Sequence, residues 1–258
     1  MSFEEILSDQ EMSRYTRQIL LPSMDIEGQE KLKQSKVAVI GAGGLGCAAA
    51  QYLGAAGIGE LTIIDFDEVE LSNLQRQVLH QQHNIGDNKA LSAKASIEAN
   101  NPEIKVTAIT HKLNANELID LCNSHDIIVD CCDNLATRVE LNQRCYDTKT
   151  PLVSGAAIRM EGIISCFDYA DDTPCYNCLS QLFGEQQLSC MEAGVLSPVV
   201  GIVGAIQATE TIKLLANIGT TLVGRVMLCD IAHMSFREMK LAKSDSCKVC
   251  HLAAGETR

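Results

Sequence analysis

Lys36-Val37-Ala38-Val39-Ile40-Gly41-Ala42-Gly43-Gly44-Leu45-Gly46 is the stretch whose reading decides the fold. KVAVI is a short apolar run that ends in glycines, the pattern of a buried strand. The glycines fit G-x-G-x-x-G, and Leu45 to Ala56 (LGCAAAQYLGAA) reads as the helix that follows. Glycine has no Cβ, so the turn can be tight and phosphates can approach the backbone. The helix N-terminus adds unpaired N–H groups and a partial positive charge. Gly41, Gly43, Gly44 and Gly46 are therefore candidate phosphate-facing residues. Leu61 to Asp65 (LTIID) is the next strand, and Asp65, 19 residues beyond Gly46, suits hydrogen bonding to ribose hydroxyls. Alone the pattern says only "nucleotide", with NAD or FAD an even alternative. No G-x-x-x-x-G-K-[ST] occurs, so any ATP is held without a P-loop.

Outward from this stretch the chain alternates. Residues 11–34 read as one or two short helices, broken near Pro22 and Gly28. A polar loop covers 66–75, and Asp87 to Asn100 is a helix. Ile104 to Ile109 and Asp126 to Asp130 (DIIVD) complete a β-α-β-α-β series, which implies parallel strands with right-handed crossovers. Later strand candidates are Pro151 to Gly155, Gly162 to Asp168, Val223 to Asp230 and Ser235 to Lys240. One long helix, about Ser197 to Asn217, lies among them. Helix-free links permit antiparallel pairing. The expected fold is α/β: a Rossmann-like parallel half continuing into a mixed sheet with antiparallel strands, as one domain over 1–258. Its parts are N-terminal helices at 1–35, a nucleotide-binding half at 36–135, a second half at 136–240 and a tail at 241–258.

The 258 residues are 46% hydrophobic and 21% charged, enough for a sizeable core, and the net charge is −12. An acidic surface repels a phosphate backbone, which argues against nucleic acid as a partner. No run approaches the roughly 18–20 uninterrupted apolar residues of a membrane span. The acidic N-terminus lacks a secretory signal's apolar core, so a cytoplasmic protein is expected.

The loop after Asp65 reads Asp67-Glu68-Val69-Glu70-Leu71-Ser72-Asn73-Leu74-Gln75-Arg76-Gln77. A dehydrogenase has no need of Asn-x-x-Arg here, whereas a triphosphate does. Asn73 can donate hydrogen bonds, Arg76 offers a planar fork to phosphate oxygens, and Lys89 supplies a second cation. Taken singly, Arg76 and Lys89 read as solvated surface charges; behind a glycine loop they read together as phosphate ligands. Asp130-Cys131-Cys132-Asp133-Asn134 closes the DIIVD strand, at the strand end where ligands of open α/β sheets bind. Asp133 is thus placed to hold Mg²⁺ on the phosphates, or else to cap the helix Leu135–Tyr146.

Twelve cysteines in a reducing compartment stay thiols, bind metal or do chemistry. Cys175-x-x-Cys178 and Cys247-x-x-Cys250 form two chelating pairs, with 68 residues between Cys178 and Cys247. Four thiolates suit tetrahedral Zn²⁺, which would staple the tail to the body as a structural site. A redox pair is the competing reading, and His251 in place of Cys250 is a weaker one. Cys47, Cys122, Cys131, Cys132, Cys145, Cys166 and Cys229 read as buried small hydrophobes. No cation adjoins Cys190 to activate it as a nucleophile. The six histidines show no metal spacing and receive no role.

Arg14-Tyr15-x-Arg17-Gln18, the glycine loop, the D-x-D-x-V-x-x-SNLQRQ run of 65–77 and the DxxDN turn of 130–134 occur in order. Together they resemble the MoeB/ThiF/HesA family, bacterial relatives of ubiquitin-activating enzymes, from about Ser8 to Cys250. LSDQEMSRY, VSGAAIRMEG (153–162), CLSQLFGE and FREMKL are more similar to its molybdopterin-synthase branch than to its thiamine branch. The resemblance implies ATP-dependent adenylation of the C-terminal glycine carboxylate of a small ubiquitin-like sulfur carrier ending in Gly-Gly. The carrier would be MoaD, the small subunit of molybdopterin synthase, bound by the half at 136–240. It also implies a homodimer in which Arg17 reaches the partner's site. By the same match Gly41, Gly43, Gly44, Gly46, Asp65, Asp67, Ser72, Asn73, Leu74, Gln75, Arg76, Lys89, Asp133 and Asn134 form the nucleotide site. Arg76, Lys89, Asp133 and Arg17 carry the catalysis. Only eight residues follow Cys250, too few for a rhodanese-like extension, so a separate protein is expected to donate the sulfur. Departures from the family pattern are Ala42 for a commoner Leu, Asn88 for Pro, Cys132 for Thr and Asn177 for Arg. The rivals are an enzyme acting on ThiS in thiamine synthesis, an NAD-dependent oxidoreductase and a catalytically silent zinc-stapled module.

Overall fold

A computed structural model describes residues 6–182 and 193–251. Helix α1 (Asp9–Ile19) starts on a reciprocal cap. The Ser8 hydroxyl accepts from the Glu11 N–H, and the Glu11 carboxylate accepts from the Ser8 N–H at 3.0 Å. Helix α2 spans Asp25–Gln34. The chain does break around Pro22, but Gly28 lies inside α2, packed on Met24, instead of ending a helix.

The parallel half is β1 (Lys36–Ile40), α3 (Gly44–Ala56), β2 (Glu60–Ile64), α4 (Lys89–Asn100), β3 (Lys105–Ile109), α5 (Ala115–Ser124) and β4 (Ile127–Asp130). Helix α5 is absent from the sequence reading, although Asn114 and Glu117 form a full capping box at its start. Helix α6 (Leu135–Thr148) then leads to β5 (Leu152–Ile158), β6 (Glu161–Phe167), the short α7 (Tyr176–Ser180), α8 (Ser197–Ala216), β7 (Arg225–Asp230) and β8 (Ser235–Lys240).

All eight strands form one sheet in the order β3-β2-β1-β4-β5-β6-β7-β8. Strands β3 to β5 pair in parallel and β5 to β8 antiparallel, as expected for a mixed sheet. Side chains alternate across β1. Val37 and Val39 join a core with α3, α4 and α8, while Ala38 and Ile40 face α5, α6 and the cysteine-bearing tail. Helices thus cover both faces. Helix α8 is the one described helix long and apolar enough to cross a membrane, yet half of it is buried inside the protein. It also carries the buried polar side chains Gln207, Glu210 and Thr211. It packs along α3 and over β5, which makes it a core helix.

The order places β1 between β2 and β4, the point where successive strands turn to opposite sides. Ile40 pairs with Ile64 on one side and Asp130 on the other, so the carboxyl ends of β1, β2 and β4 lie abreast. A ligand crevice opens at such a switch point.

Candidate nucleotide and metal sites

Three loops leave those abreast strand ends. The first is the glycine turn. Gly41 has φ +97°, a left-handed conformation that side chains avoid, and a Cβ on Gly46 would stand 1.7 Å from the Gly41 carbonyl oxygen. These two glycines let the turn fold tightly onto the start of α3, whose first N–H groups have no side-chain cap.

The second loop follows β2. Both Asp65 oxygens are engaged: Oδ2 accepts from the Ala42 N–H at 2.7 Å and Oδ1 from the Asp67 N–H at 2.9 Å. Burial raises the pKa of this carboxyl, outweighing the two N–H donors. Each oxygen keeps a further lone pair for a ribose hydroxyl. Lys89, the first residue of α4, is 8% exposed and its Nζ lies 2.9 Å from Asp67 Oδ2. It is therefore not a solvated surface charge. Asn88 stands where proline is common in the family; its Oδ1 caps α4 through the Ala90 and Leu91 N–H groups, and its Nδ2 donates to the carbonyls of Asp65 and Asp67. That one side chain binds the Asp65 loop to the Lys89 helix.

Within the same loop, the Asn73 side chain folds back to accept from the Glu70 N–H and is buried. Asn73 thus shapes the short 3-10 turn Leu71–Asn73. Ser72 donates its hydroxyl proton to Glu70, and its carbonyl accepts from Arg76 Nη1 at 3.1 Å. Arg76 is only partly covered and makes no ion pair among the described residues. Its remaining donors are free for phosphate oxygens. Leu74 is partly buried, and Gln75 is exposed with its carbonyl bonded to the Ser197 hydroxyl at the start of α8. Gln77, absent from the sequence-derived site, is buried against Gly43, and its amide oxygen has no partner.

The third loop follows β4. Asn134, not Asp133, caps α6: its side chain accepts from the Thr137 N–H at 2.9 Å. Asp133 is exposed, and among the described residues its one side-chain hydrogen bond is from Asn134 Nδ2 at 3.4 Å, so its capping alternative fails and its carboxylate is available. Buried side chains hold the turn beneath it. Asp130 accepts from the Cys132 N–H and the Ser154 hydroxyl, Gln207 donates to the Asp130 carbonyl at 2.7 Å, and the Arg138 guanidinium donates to the Cys132 carbonyl. Arg17 is an exposed residue in the last turn of α1. It makes no hydrogen bond to these loops among the described residues. Cys190 lies outside the described residues.

The four expected metal ligands converge. The sulfurs of Cys175, Cys178, Cys247 and Cys250 all lie within 4.8 Å of one another and are buried. Adjacent sulfurs are 4.0 Å (Cys175–Cys178), 3.5 Å (Cys175–Cys247) and 3.3 Å (Cys178–Cys250) apart. A tetrahedron with Zn–S near ~2.3 Å needs sulfurs about 3.8 Å apart, so donor set and spacing fit zinc. None of these distances is a disulfide's. His251 is exposed and outside the cluster. N–H groups support the sulfurs: Asn177 donates to Cys247, Asn142 to Cys175 and the Ser244 backbone to Cys178. Asn177, in place of the commoner arginine, is thus part of the cluster's surroundings. A hydrogen bond from Cys175 brings the Cys178 thiol down to about 4, while burial and neighbouring sulfurs push Cys250 up to about 12. The seven other cysteines read as hydrophobes are all buried.

A glycine turn, the carboxylate of Asp65, two cations and an exposed carboxylate around one switch point mark an α/β protein with a candidate nucleotide crevice. The chain belongs to the ThiF family, whose model matches residues 15–249. It is 52% identical to the molybdopterin-synthase adenylyltransferase of Escherichia coli K12 over 95% of this chain and 98% of that one. It is 53% identical to the enzyme of that name from Haemophilus influenzae, over 91% and 97%. The adenylyltransferase and sulfurtransferase MOCS3 of Drosophila grimshawi is 42% identical across 95% of this chain, which spans 55% of that protein. Among solved structures, PaaA superposes with a TM-score of 0.79 at 27% identity, covering 94% of this chain and 77% of that one. Escherichia coli MccB with MccA-N7isoASN gives 0.82 at 24% over 96% and 76%, a likeness of fold.

Proposed function

We propose that the chain is an ATP-dependent adenylyltransferase that activates the C-terminal glycine carboxylate of the sulfur carrier MoaD in molybdenum cofactor synthesis. One observation carries this reading: Asp65, Arg76 and Asp133 on the loops after adjacent strands, and Lys89 at the start of α4, gather in a chain half identical to molybdopterin-synthase adenylyltransferases over nearly its whole length.

The carrier's terminal carboxylate is already ionised, so little proton transfer is needed. One of its oxygens attacks the α-phosphorus of ATP, the bond from that phosphorus to the β-phosphate bridge breaks, and pyrophosphate leaves with the electron pair. Catalysis rests on alignment and on neutralising the leaving charge. Asp65 orients the ribose, and Arg76 and Lys89 take the phosphate oxygens, with Lys89 exchanging part of its contact with Asp67 for them. Asp133 would hold a magnesium ion, which supplies further charge neutralisation on the phosphates. In a homodimer, Arg17 of the partner subunit adds a third cation. The four cysteines would hold a structural zinc. The reading is of a cytoplasmic enzyme that receives sulfur from a separate donor protein.

The test is ATP–pyrophosphate exchange with purified MoaD and, in parallel, ThiS. Exchange is expected with MoaD and not with ThiS. Arg76→Ala should lower it by roughly 10²–10³-fold, as losing one charge-stabilising donor does elsewhere, with unchanged circular dichroism. Full activity in that variant refutes the role of Arg76, and exchange with ThiS alone transfers the enzyme to the thiamine branch.

A further inference from the structure

The histidine at position 80 fits no metal pattern, yet it touches the phosphate loop. It lies beyond the SNLQRQ run, is buried, and packs behind the glycine turn. Its Nε2 is 3.0 Å from the Ala42 carbonyl oxygen and its Nδ1 is 2.9 Å from the Ser92 hydroxyl on α4. A carbonyl only accepts, so Nε2 carries the proton, and Nδ1 accepts from Ser92. Burial lowers the pKa of this ring, which keeps it in the neutral form this relay needs. The Ala42 carbonyl also accepts from the Cys47 thiol at 3.3 Å, while the Ala42 N–H is held by Asp65.

A trans peptide is planar, and its C=O and the next N–H point in opposite directions. With the Ala42 carbonyl turned inward to His80 and Cys47, the Gly43 N–H must face the other way, toward the crevice. That N–H has no hydrogen-bond partner among the described residues. The Gln77 amide lies against Gly43, but its oxygen is unpaired and so does not take it. We propose that His80 is a positioning residue of the nucleotide site: it fixes the Ala42–Gly43 peptide so that the Gly43 N–H is aimed at a phosphate oxygen. His80 does not touch the nucleotide and acts through the turn. The inference rests on the reading that this turn binds ATP.

The two ring nitrogens can be tested separately. His80→Gln keeps a donor near Nε2 for the Ala42 carbonyl, and His80→Asn keeps only the partner for Ser92. The expected result is a KM for ATP near wild type in His80→Gln and raised on the order of tenfold in His80→Asn, the worth of about one hydrogen bond. The turnover number should stay close to wild type in both, since the reacting groups are untouched. Thermal unfolding of the two variants, alongside the core variant Ile97→Val, reports stability separately. If both raise KM equally, or if KM simply tracks melting temperature, His80 is structural filler and the inference is wrong. If wild type itself binds no ATP with magnesium, the adenylation reading fails first, and that outcome is distinct from either variant's.

Discussion

Two neighbouring residues, Asp133 and Asn134, are engaged differently. Asn134 satisfies the Thr137 N–H at the start of α6, whereas the Asp133 carboxylate is exposed beside it. Asn134→Ala should cost about 1 kcal/mol of stability, the usual worth of an N-cap, or roughly 2–4 °C in Tm, and leave much of the exchange activity. Asp133→Ala should do the reverse: an unchanged melting curve and a collapse of carrier-dependent exchange. Melting and exchange assays on the same two preparations decide it, and a destabilised Asp133→Ala would return the capping role to that residue. From the sequence, Asp133 is the candidate cap; the backbone gives the role to Asn134, one residue on, because both side chains are good caps and only backbone geometry selects between them.

Among the elements, α1 depends on a buried carboxylate. Burial alone would raise the pKa of Glu11, but its bonds from Lys33 and Ser8 overcome that, and the net shift is downward. A group whose folded pKa lies below its unfolded value stabilises above the unfolded pKa, about 4.3 for glutamate. That contribution is lost as pH falls through the folded value. Glu11→Gln, which can still close the cap, should therefore be less stable than wild type by about 1–2 kcal/mol at pH 7. The gap should shrink toward zero as the medium is acidified below the carboxylate range. Urea denaturation at several pH values measures it; a gap that persists unchanged at low pH would assign the effect to packing. Most strands, with α3, α4 and α8, were legible to within a few residues, because they are runs of apolar or helix-favouring residues broken by glycines and polar turns. Helix α5 was not, although its capping box was in view, because ANELIDLCNS has only three positions that end up buried. His80 was not legible either. Its partners Ala42 and Ser92 come from other elements, so no spacing along the chain announces the contact.

For the whole molecule, the cysteine cluster joins α7 to the tail beyond β8. Linking Cys178 to Cys247 closes a loop of 68 intervening residues, and a crosslink of that span restricts the unfolded chain by about 4 kcal/mol in the chain-entropy model. Stripping the metal with a strong chelator, or replacing Cys247 by serine, should lower Tm by roughly 10 °C on that basis. One zinc per chain should be released, as read by a colorimetric dye. No bound zinc in freshly purified protein, with an unaltered melting curve after chelation, would remove the staple from the account. The two CxxC pairs were plain in the sequence; the donors Asn142, Asn177 and Ser244 were not, since they approach the sulfurs through folding alone.

The same closure bears on what a protease can do. With metal in place, a single cut anywhere between Cys178 and Cys247 leaves two fragments that remain fastened through four thiolates. They should travel as one body under native conditions and part only when denaturant and chelator are applied together.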